Sequence, residues 1–195
     1  MKQIEITTNV LQSLSEVDHV LTNQGFKVIR KSRVEDQYMS MEKEALREDT
    51  ILDILSRSLI IRYLCLDGKD EYKKLTYKKK VYDGDTVLSE EKINLGIMDT
   101  EKARQLLEAL GYQKLVDVSY DVTVYQKGTV ELCFQEVEEL GLLCEWESPN
   151  DYTNVSKEEI LEEKKRMLQE LRDYQLQVSD DYDVKKAYQI IKNRM

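Results

Sequence analysis

The pattern of polar and apolar residues predicts eight β-strands, some from alternation with a period of two residues and others from apolar runs rich in β-forming residues. The segments are residues 2–7, 26–39, 58–66, 74–82, 87–95, 114–126, 129–138 and 142–147. Asp83-Gly84-Asp85 predicts a tight hairpin turn between the fourth and fifth strands. Glycines at 128 and 141 predict the turns of a meander made by the last three strands.

Four other segments carry apolar residues at helical spacing. A capping-box pair, Asn9 and Gln12, predicts the start of the first helix, which should end near Gly25. Asp99 predicts the start of the second, and Ser156 with Glu159 the start of the third. The later helices are predicted over residues 100–110, 160–174 and 184–194, while residues 41–56 can be helical or irregular.

The order of these elements predicts an α+β protein with eight antiparallel strands and flanking helices. Eight such strands can close into a barrel, although the pattern alone does not distinguish a barrel from two sheets. Pro149 is the single proline and no low-complexity linker divides the chain, so we expect one domain over residues 1–195. Residues 156–195 would form a C-terminal helical extension packed on the barrel.

Composition restricts the function classes. A formal charge of −9 disfavours nucleic acid and anionic membranes as partners. No stretch approaches the ~20 apolar residues that cross a bilayer, and the first residues do not resemble a secretion signal, so we expect a cytoplasmic protein. Cys65, Cys133 and Cys144 are odd in number and widely spaced, which favours buried thiols over disulfides or a zinc site.

Several segments in order resemble the CYTH (triphosphate tunnel) family, which includes class IV adenylate cyclases, thiamine triphosphatases and inorganic triphosphatases. The resemblance rests on residues 3–7, 36–39, 58–62, 75–78, 134–137, 140–141 and 145–147, and spans almost the whole chain. It implies an eight-stranded closed barrel, the triphosphate tunnel. Inward Arg and Lys side chains would hold a triphosphate there, and inward carboxylates would bind Mg²⁺ or Mn²⁺.

The same resemblance implies the site residues. Glu145 and Glu147 share one face of a strand, and with Glu5 they would form an oxygen-rich metal site for Mg²⁺ or Mn²⁺. The implied phosphate ligands are Arg62 and Lys78, with further contributions from Lys80 and Arg33. Such a site needs both signs of charge. Cationic side chains hold the triphosphate, and carboxylates hold the metal that also binds it.

This chain departs from the family pattern at several charged positions. Neutral residues replace expected cations at Thr7, Ile60, Tyr120 and Val122, and expected carboxylates at Gln3 and Gln135. Each missing cation removes a charge-assisted contact worth on the order of 1.5–3 kcal/mol. Three explanations are open: other cations serve the same ligand, the tunnel takes a smaller or less charged ligand, or the site has become a packed core.

Two functional hypotheses follow. In the first, the tunnel binds a small phosphorylated ligand (a nucleoside triphosphate, thiamine triphosphate or polyphosphate) with a divalent metal, and triphosphate hydrolysis or adenylate cyclase chemistry is open. In the second, the protein is a non-catalytic binding or scaffold protein whose tunnel is partly filled by apolar side chains. The long helix 160–174 has an apolar stripe that would pack on the barrel or form a homodimer contact.

Overall fold

The computed structural model describes residues 4–83, 86–148 and 155–195, and the side chains of these residues except 70 and 78–91. The predicted turn at Gly84-Asp85 and the proline Pro149 therefore lie outside the described residues.

All eight predicted strands are present and form one sheet with the order β1-β8-β7-β6-β2-β3-β4-β5. Each strand is antiparallel to its neighbours. Their bounds are β1 Glu5–Asn9, β2 Lys27–Ser40, β3 Leu59–Leu66, β4 Asp70–Asp83, β5 Thr86–Gly96, β6 Gln113–Lys127, β7 Val130–Val137 and β8 Gly141–Glu147. The prediction of an α+β protein with an eight-stranded antiparallel sheet is confirmed.

The prediction of a closed barrel is wrong, because the sheet curls without closing. β1 and β5 are the two ends of the strand order, and no ladder joins them among the described residues. The free edge of β1 is instead covered by residues 177–184, which we call the strap. The Thr7 amide donates to the Tyr182 carbonyl at 2.9 Å, and the Val184 amide donates to the Thr7 carbonyl at 2.9 Å.

Five α-helices and one short 3-10 turn flank this sheet in the described part of the chain. Their bounds are α1 Leu14–Asn23, the turn Lys43–Ala45, α2 Ile51–Ser56, α3 Thr100–Ala109, α4 Lys157–Asp173 and α5 Lys186–Arg194. Both α4 and α5 lie in the predicted C-terminal extension, and the single-domain assignment stays a prediction. None of the helices in the described ranges is long and apolar enough to cross a membrane.

Two large cores lie on opposite faces of the sheet, because inward and outward side chains alternate along each strand. On the convex face, α1 and α4 pack over a cluster that includes Ile6, Phe134 and Trp146. On the concave face, α2 and α5 contribute Ile51, Ile190 and other apolar residues to a second cluster. A smaller cluster lies under α3 on β3 and β4.

The helix starts show which local signals were reliable. Asp99 caps α3, and Ser156 with Glu159 forms the capping box of α4, as predicted. The predicted pair Asn9 and Gln12 is not the cap of α1, since Asn9 ends β1. Ser13 and Glu16 form that capping box, four residues further along the chain, so the prediction of this helix start is wrong.

Candidate anion-binding groove

The concave face of the curled sheet forms a groove with an apolar floor. The floor is the inward face of β6, and its residues are Val116, Val118, Tyr120, Val122 and Val124. All five are buried. Tyr120 and Val122 stand where the family resemblance led us to expect cations, and here they pack in an apolar cluster with residues of α5.

One wall of the groove is basic and begins with Arg62 on β3. Arg62 is directly opposite Asp36 on β2. Its guanidinium donates from Nε to Asp36 Oδ1 at 2.6 Å and from Nη2 to Asp36 Oδ2 at 2.5 Å. A third contact joins Arg62 Nη2 to the Tyr120 hydroxyl at 3.3 Å. Burial lowers the pKa of Arg62, but the Asp36 carboxylate outweighs it and the net shift is upward.

Lys74 continues the basic wall on β4, where it is the cross-strand partner of Arg62. Burial, followed by the positive charge of Arg62, lowers the pKa of the Lys74 ammonium. Among the described side chains, no hydrogen bond or ion pair to this ammonium is found. Lys92 on β5 adds a third positive charge near Lys74. Arg62 and Lys74 are neighbouring cations that share a single buried carboxylate, Asp36, and this excess of positive charge favours an anion in the space that they face.

The other wall is acidic and is formed by β1 and β8. Glu5 is the cross-strand partner of Glu147, and Glu145 lies two residues along β8 on the same face. Carboxylate oxygens are the donors that Mg²⁺ and Mn²⁺ prefer, so the chemistry of this wall fits a hard cation. Within the described residues, however, no three His, Cys, Asp or Glu side chains are gathered closely enough to hold a metal.

Ion pairs join the groove's charged groups to each other. Lys92 Nζ lies 3.8 Å from Glu147 Oε1, so a cation of β5 reaches a carboxylate of the acidic wall. Lys186, at the start of α5, donates from Nζ to Gln135 Oε1 at 2.5 Å and lies 3.3 Å from Glu145 Oε2. Gln135 Nε2 also donates to Glu145 Oε2 at 3.0 Å.

Lys186 is enclosed by negative charge. Its ammonium lies 4.7 Å from the centre of the Tyr120 ring, and its side chain is 16% exposed. Burial alone lowers the pKa of Lys186, but nearby carboxylates, Glu145 first among them, outweigh it and raise that pKa above its ordinary value. Lys186 therefore stays charged in the groove.

A cavity of about 90 Å³ lies between α5 and the acidic wall. Its lining includes Glu5, Tyr38, Ile60, Glu145 and Lys186. Pockets for small organic ligands usually measure about 300–1,000 Å³. The cavity is therefore large enough for a few water molecules or a small ion.

The predicted site residues divide into three groups. Arg62, Glu5, Glu145 and Glu147 all face the groove. Arg33 lies on the convex face, where its guanidinium contacts Asp121 at 3.2 Å and Glu138 at 2.5 Å. Lys78 and Lys80 lie on β4, where Lys78 is the backbone partner of Lys92, but their side chains are outside the described residues.

Sequence reasoning missed four charged residues of the groove: Asp36, Lys74, Lys92 and Lys186. Lys74 is recognisable from its spacing, because it shares a strand face with Lys78. Asp36 could be recognised as the partner of Arg62 only from the register of β2 against β3. No signal near Lys186 in the sequence indicates that the C-terminal helix returns to the concave face.

Solved structures of other proteins support the α+β fold class. No family model matches the chain. The structure of PH1819 from Pyrococcus horikoshii aligns with 99% of each chain at a TM-score of 0.71 and 23% identity. A Vibrio parahaemolyticus structure described as a putative adenylate cyclase covers 99% of this chain and 98% of that one, at a TM-score of 0.64 and 12% identity. The chain thus shares its α+β fold with these proteins.

A particular relative is similar along nearly its whole length. It is a Methanocaldococcus jannaschii protein named Putative adenylate cyclase MJ0240. The two sequences are 29% identical over 188 residues, which is 96% of this chain and 97% of that protein.

Proposed function

We propose that this protein binds a phosphorylated ligand, of the triphosphate type, in the groove together with a divalent cation. Phosphate oxygens would be held by the basic wall of Arg62, Lys74 and Lys92. The cation would be held between the acidic wall of Glu5, Glu145 and Glu147 and the phosphate oxygens of the ligand, because these carboxylates alone are not close enough to one another to bind it. A metal triphosphate carries both signs of charge, and the two walls offer the complementary signs across one groove.

The observation that carries this proposal is the position of Lys74. Its ammonium is partly buried, lies beside Arg62, and has no partner among the described side chains. Desolvation and like charge both oppose this arrangement, and a bound anion would relieve both. A purely structural lysine would be expected to have a carboxylate partner or to extend into water.

The names of the related proteins favour a nucleotide as the ligand. The Methanocaldococcus and Vibrio proteins are both described as putative adenylate cyclases. A bound Mg²⁺ or Mn²⁺ would polarise a phosphoryl oxygen or activate a water molecule, which serves either cyclisation or hydrolysis. This chain's own residues would position the phosphates and exclude water from part of the groove.

The test is a titration of the full chain with Mg²⁺ or Mn²⁺ and ATP, thiamine triphosphate or tripolyphosphate. We expect the melting temperature to rise with at least one of the three, because a ligand that binds only the folded state stabilises it. The metal alone and the ligand with excess chelator are the controls. Release of phosphate, pyrophosphate or cyclic nucleotide would then show whether binding leads to chemistry. No thermal shift and no product with any ligand would contradict the proposal.

A second candidate function is a non-catalytic binding or scaffold protein, and the filling of the groove favours it. The apolar floor packs on α5, and the cavity between α5 and the acidic wall measures about 90 Å³. The same titration separates the two candidates. Binding without any product identifies a binding protein, while the absence of binding leaves a groove that serves only as a core.

A further inference from the structure

A second cleft lies on the convex face of the sheet, opposite the groove. It measures about 620 Å³, which is within the range of pockets that bind ligands. Its lining comes from the start of α1, from β2 and β6, and from the ends of β7 and β8 at their shared turn. We call it the convex cleft, and its residues are 10–14, Arg33, Asp121, 136–138 and 141–142. It shares no residue with the two walls of the groove, so the proposed function leaves it unexplained.

The apolar part of the convex cleft continues the core that lies under α1. Val10 is buried, and Leu14 and Leu142 are partly buried against the same cluster. Leu11 lies next to them in the lining, but 67% of this residue is exposed. Its backbone is fixed, because the Leu11 amide donates to the Gln177 carbonyl at 2.7 Å. An apolar side chain is therefore held in water at the cleft, where an apolar partner would cover it.

The polar part of the convex cleft carries an excess of negative charge. Asp121 on β6 and Glu136 on β7 are cross-strand partners, so two carboxylates are directly opposite each other on one face of the sheet. Like charges in such a pair are destabilising. Glu138 adds a third carboxylate, and Arg33 is the one cation among the described lining residues. The cleft therefore has an excess of two negative charges.

Arg33 does not neutralise this cluster. Its guanidinium contacts Glu138 at 2.5 Å and Asp121 at 3.2 Å, and it also lies 3.8 Å from Glu35. One cation is thus shared by three carboxylates. Glu136 forms no hydrogen bond or ion pair with any residue that the structure describes. A positive charge supplied from outside the molecule would relieve the repulsion between Glu136 and Asp121.

We propose that the convex cleft docks a basic peptide segment of a partner protein, in which lysine or arginine side chains lie next to apolar ones. A cation of the segment would lie between Asp121 and Glu136, and an apolar side chain would cover Leu11. A small polyamine offers only the charges. Asp121 is 61% exposed, and an ion pair with an exposed carboxylate contributes little in water. The exposed leucine beside the carboxylates therefore favours a peptide, and this inference does not depend on the ligand of the groove.

The probe is a fluorescein-labelled hexapeptide of alternating lysine and leucine, titrated with the full chain and followed by fluorescence anisotropy. We expect binding that weakens as salt is added, because salt screens exposed charges. A peptide of alternating lysine and serine should bind about tenfold more weakly, since it cannot cover Leu11. A peptide of glutamate and leucine should not bind. Equal affinity for the lysine–serine peptide would overturn the proposal, and so would displacement of the probe by spermine as readily as by unlabelled peptide, which would assign the cleft to a polyamine.

Two matched pairs of variants locate the site. Glu136→Gln removes a carboxylate of the cleft, while Glu162→Gln makes the same change at an exposed position of α4. Leu11→Ser removes the exposed leucine, and Leu110→Ser does the same at a 58% exposed leucine at the end of α3. We expect about tenfold weaker binding of the lysine–leucine probe to E136Q and L11S, and no change for E162Q and L110S. Unchanged binding to E136Q and L11S would place the peptide elsewhere and overturn the proposal.

Thermal unfolding without peptide tests the repulsion itself. E136Q should raise the melting temperature by about 1–3 °C, because it removes one member of a like-charge pair, and E162Q should not. A lower melting temperature for E136Q would mean that Glu136 stabilises the fold, and that result would overturn the proposal. The peptide titration contains neither Mg²⁺ nor a triphosphate, so its failure would leave the proposed function intact.

Discussion

Arg62 on β3 and Asp36 on β2 face each other across the strand pair and form a bidentate ion pair. The Asp36 side chain is only 2% exposed. The paired geometry fixes the plane of the guanidinium. One further contact, to the Tyr120 hydroxyl, fixes its distance from the groove floor. These contacts therefore hold the Arg62 guanidinium in one orientation at the edge of the groove floor.

Replacing Asp36 by asparagine should strongly destabilise the protein. The change leaves the buried positive charge of Arg62 without its carboxylate, and breaking one side of a buried ion pair costs about 3–5 kcal/mol. Urea denaturation of D36N should show this loss in the free energy of unfolding. Asp121→Asn, on the exposed convex face, is the control and should cost less than about 1 kcal/mol. The double variant D36N/R62M should recover part of the loss, and no recovery would contradict a direct pairing.

Neutralising Lys74 should weaken ligand binding far more than neutralising its neighbour Lys73. The two residues point to opposite faces of β4, and Lys73 pairs with Glu71 at 3.4 Å on the convex side. Loss of a charge-assisted contact should reduce the affinity of Lys74→Gln for Mg²⁺ with tripolyphosphate by about tenfold or more. Titration calorimetry measures this, with Lys73→Gln as the matched control. Equal affinities for the two variants would remove Lys74 from the site.

The pairing of β1 with the strap should be visible in amide exchange. Thr7 and Leu11 donate to carbonyls of Tyr182 and Gln177 at 2.9 and 2.7 Å, so their amides should be protected although β1 ends the sheet. Protection factors measured by nuclear magnetic resonance should be comparable to those of the β6 centre. If the edge of β1 were free, these two amides would exchange rapidly. That result would mean that the strap is detached in solution.

The three thiols should differ in their reactivity toward iodoacetamide at pH 8. Burial raises the pKa of Cys133 to about 11 and raises that of Cys144 well above its ordinary value. For Cys133, this lowers the thiolate fraction roughly a hundredfold relative to a thiol of ordinary pKa. Mass spectrometry of the native protein should find Cys65 labelled first, with Cys133 following only as the pH approaches 11. Unfolding in urea should expose all three, and rapid labelling of native Cys144 would contradict its burial.

Local patterns predicted the elements well, and the reason is physical. Alternation and β-rich apolar runs identified all eight strands, and the caps at Asp99 and Ser156 were correct because such hydrogen bonds form within four residues. Ser13 shows the limit of that signal: two capping pairs follow one another in the sequence, and β1 extends far enough to exclude the first.

Contacts between residues far apart in the sequence could not be predicted from local patterns. The strap competes with β5 for the edge of β1, and nothing in its residues indicates that it forms backbone hydrogen bonds with residues about 170 positions earlier. Because contacts of this kind are not visible in the sequence, the sequence analysis predicted a closed barrel and did not include Lys186 in the site. The family resemblance, together with the rule that a strand places every second residue on one face, predicted Glu5, Glu145 and Glu147 as metal ligands, and that role stays a prediction.

Contact between the two ends of the described chain also has a consequence for biosynthesis. Thr8 and Ser179 touch across a separation of 171 residues, and the hydrogen bonds of the strap to β1 depend on the same late segment. The ribosome delivers the chain from its N-terminus, so β1 is synthesised long before the strap. The edge of β1 therefore stays uncovered in the nascent sheet until residues 177–184 have been synthesised. A chaperone would protect the sheet from aggregation most during this interval.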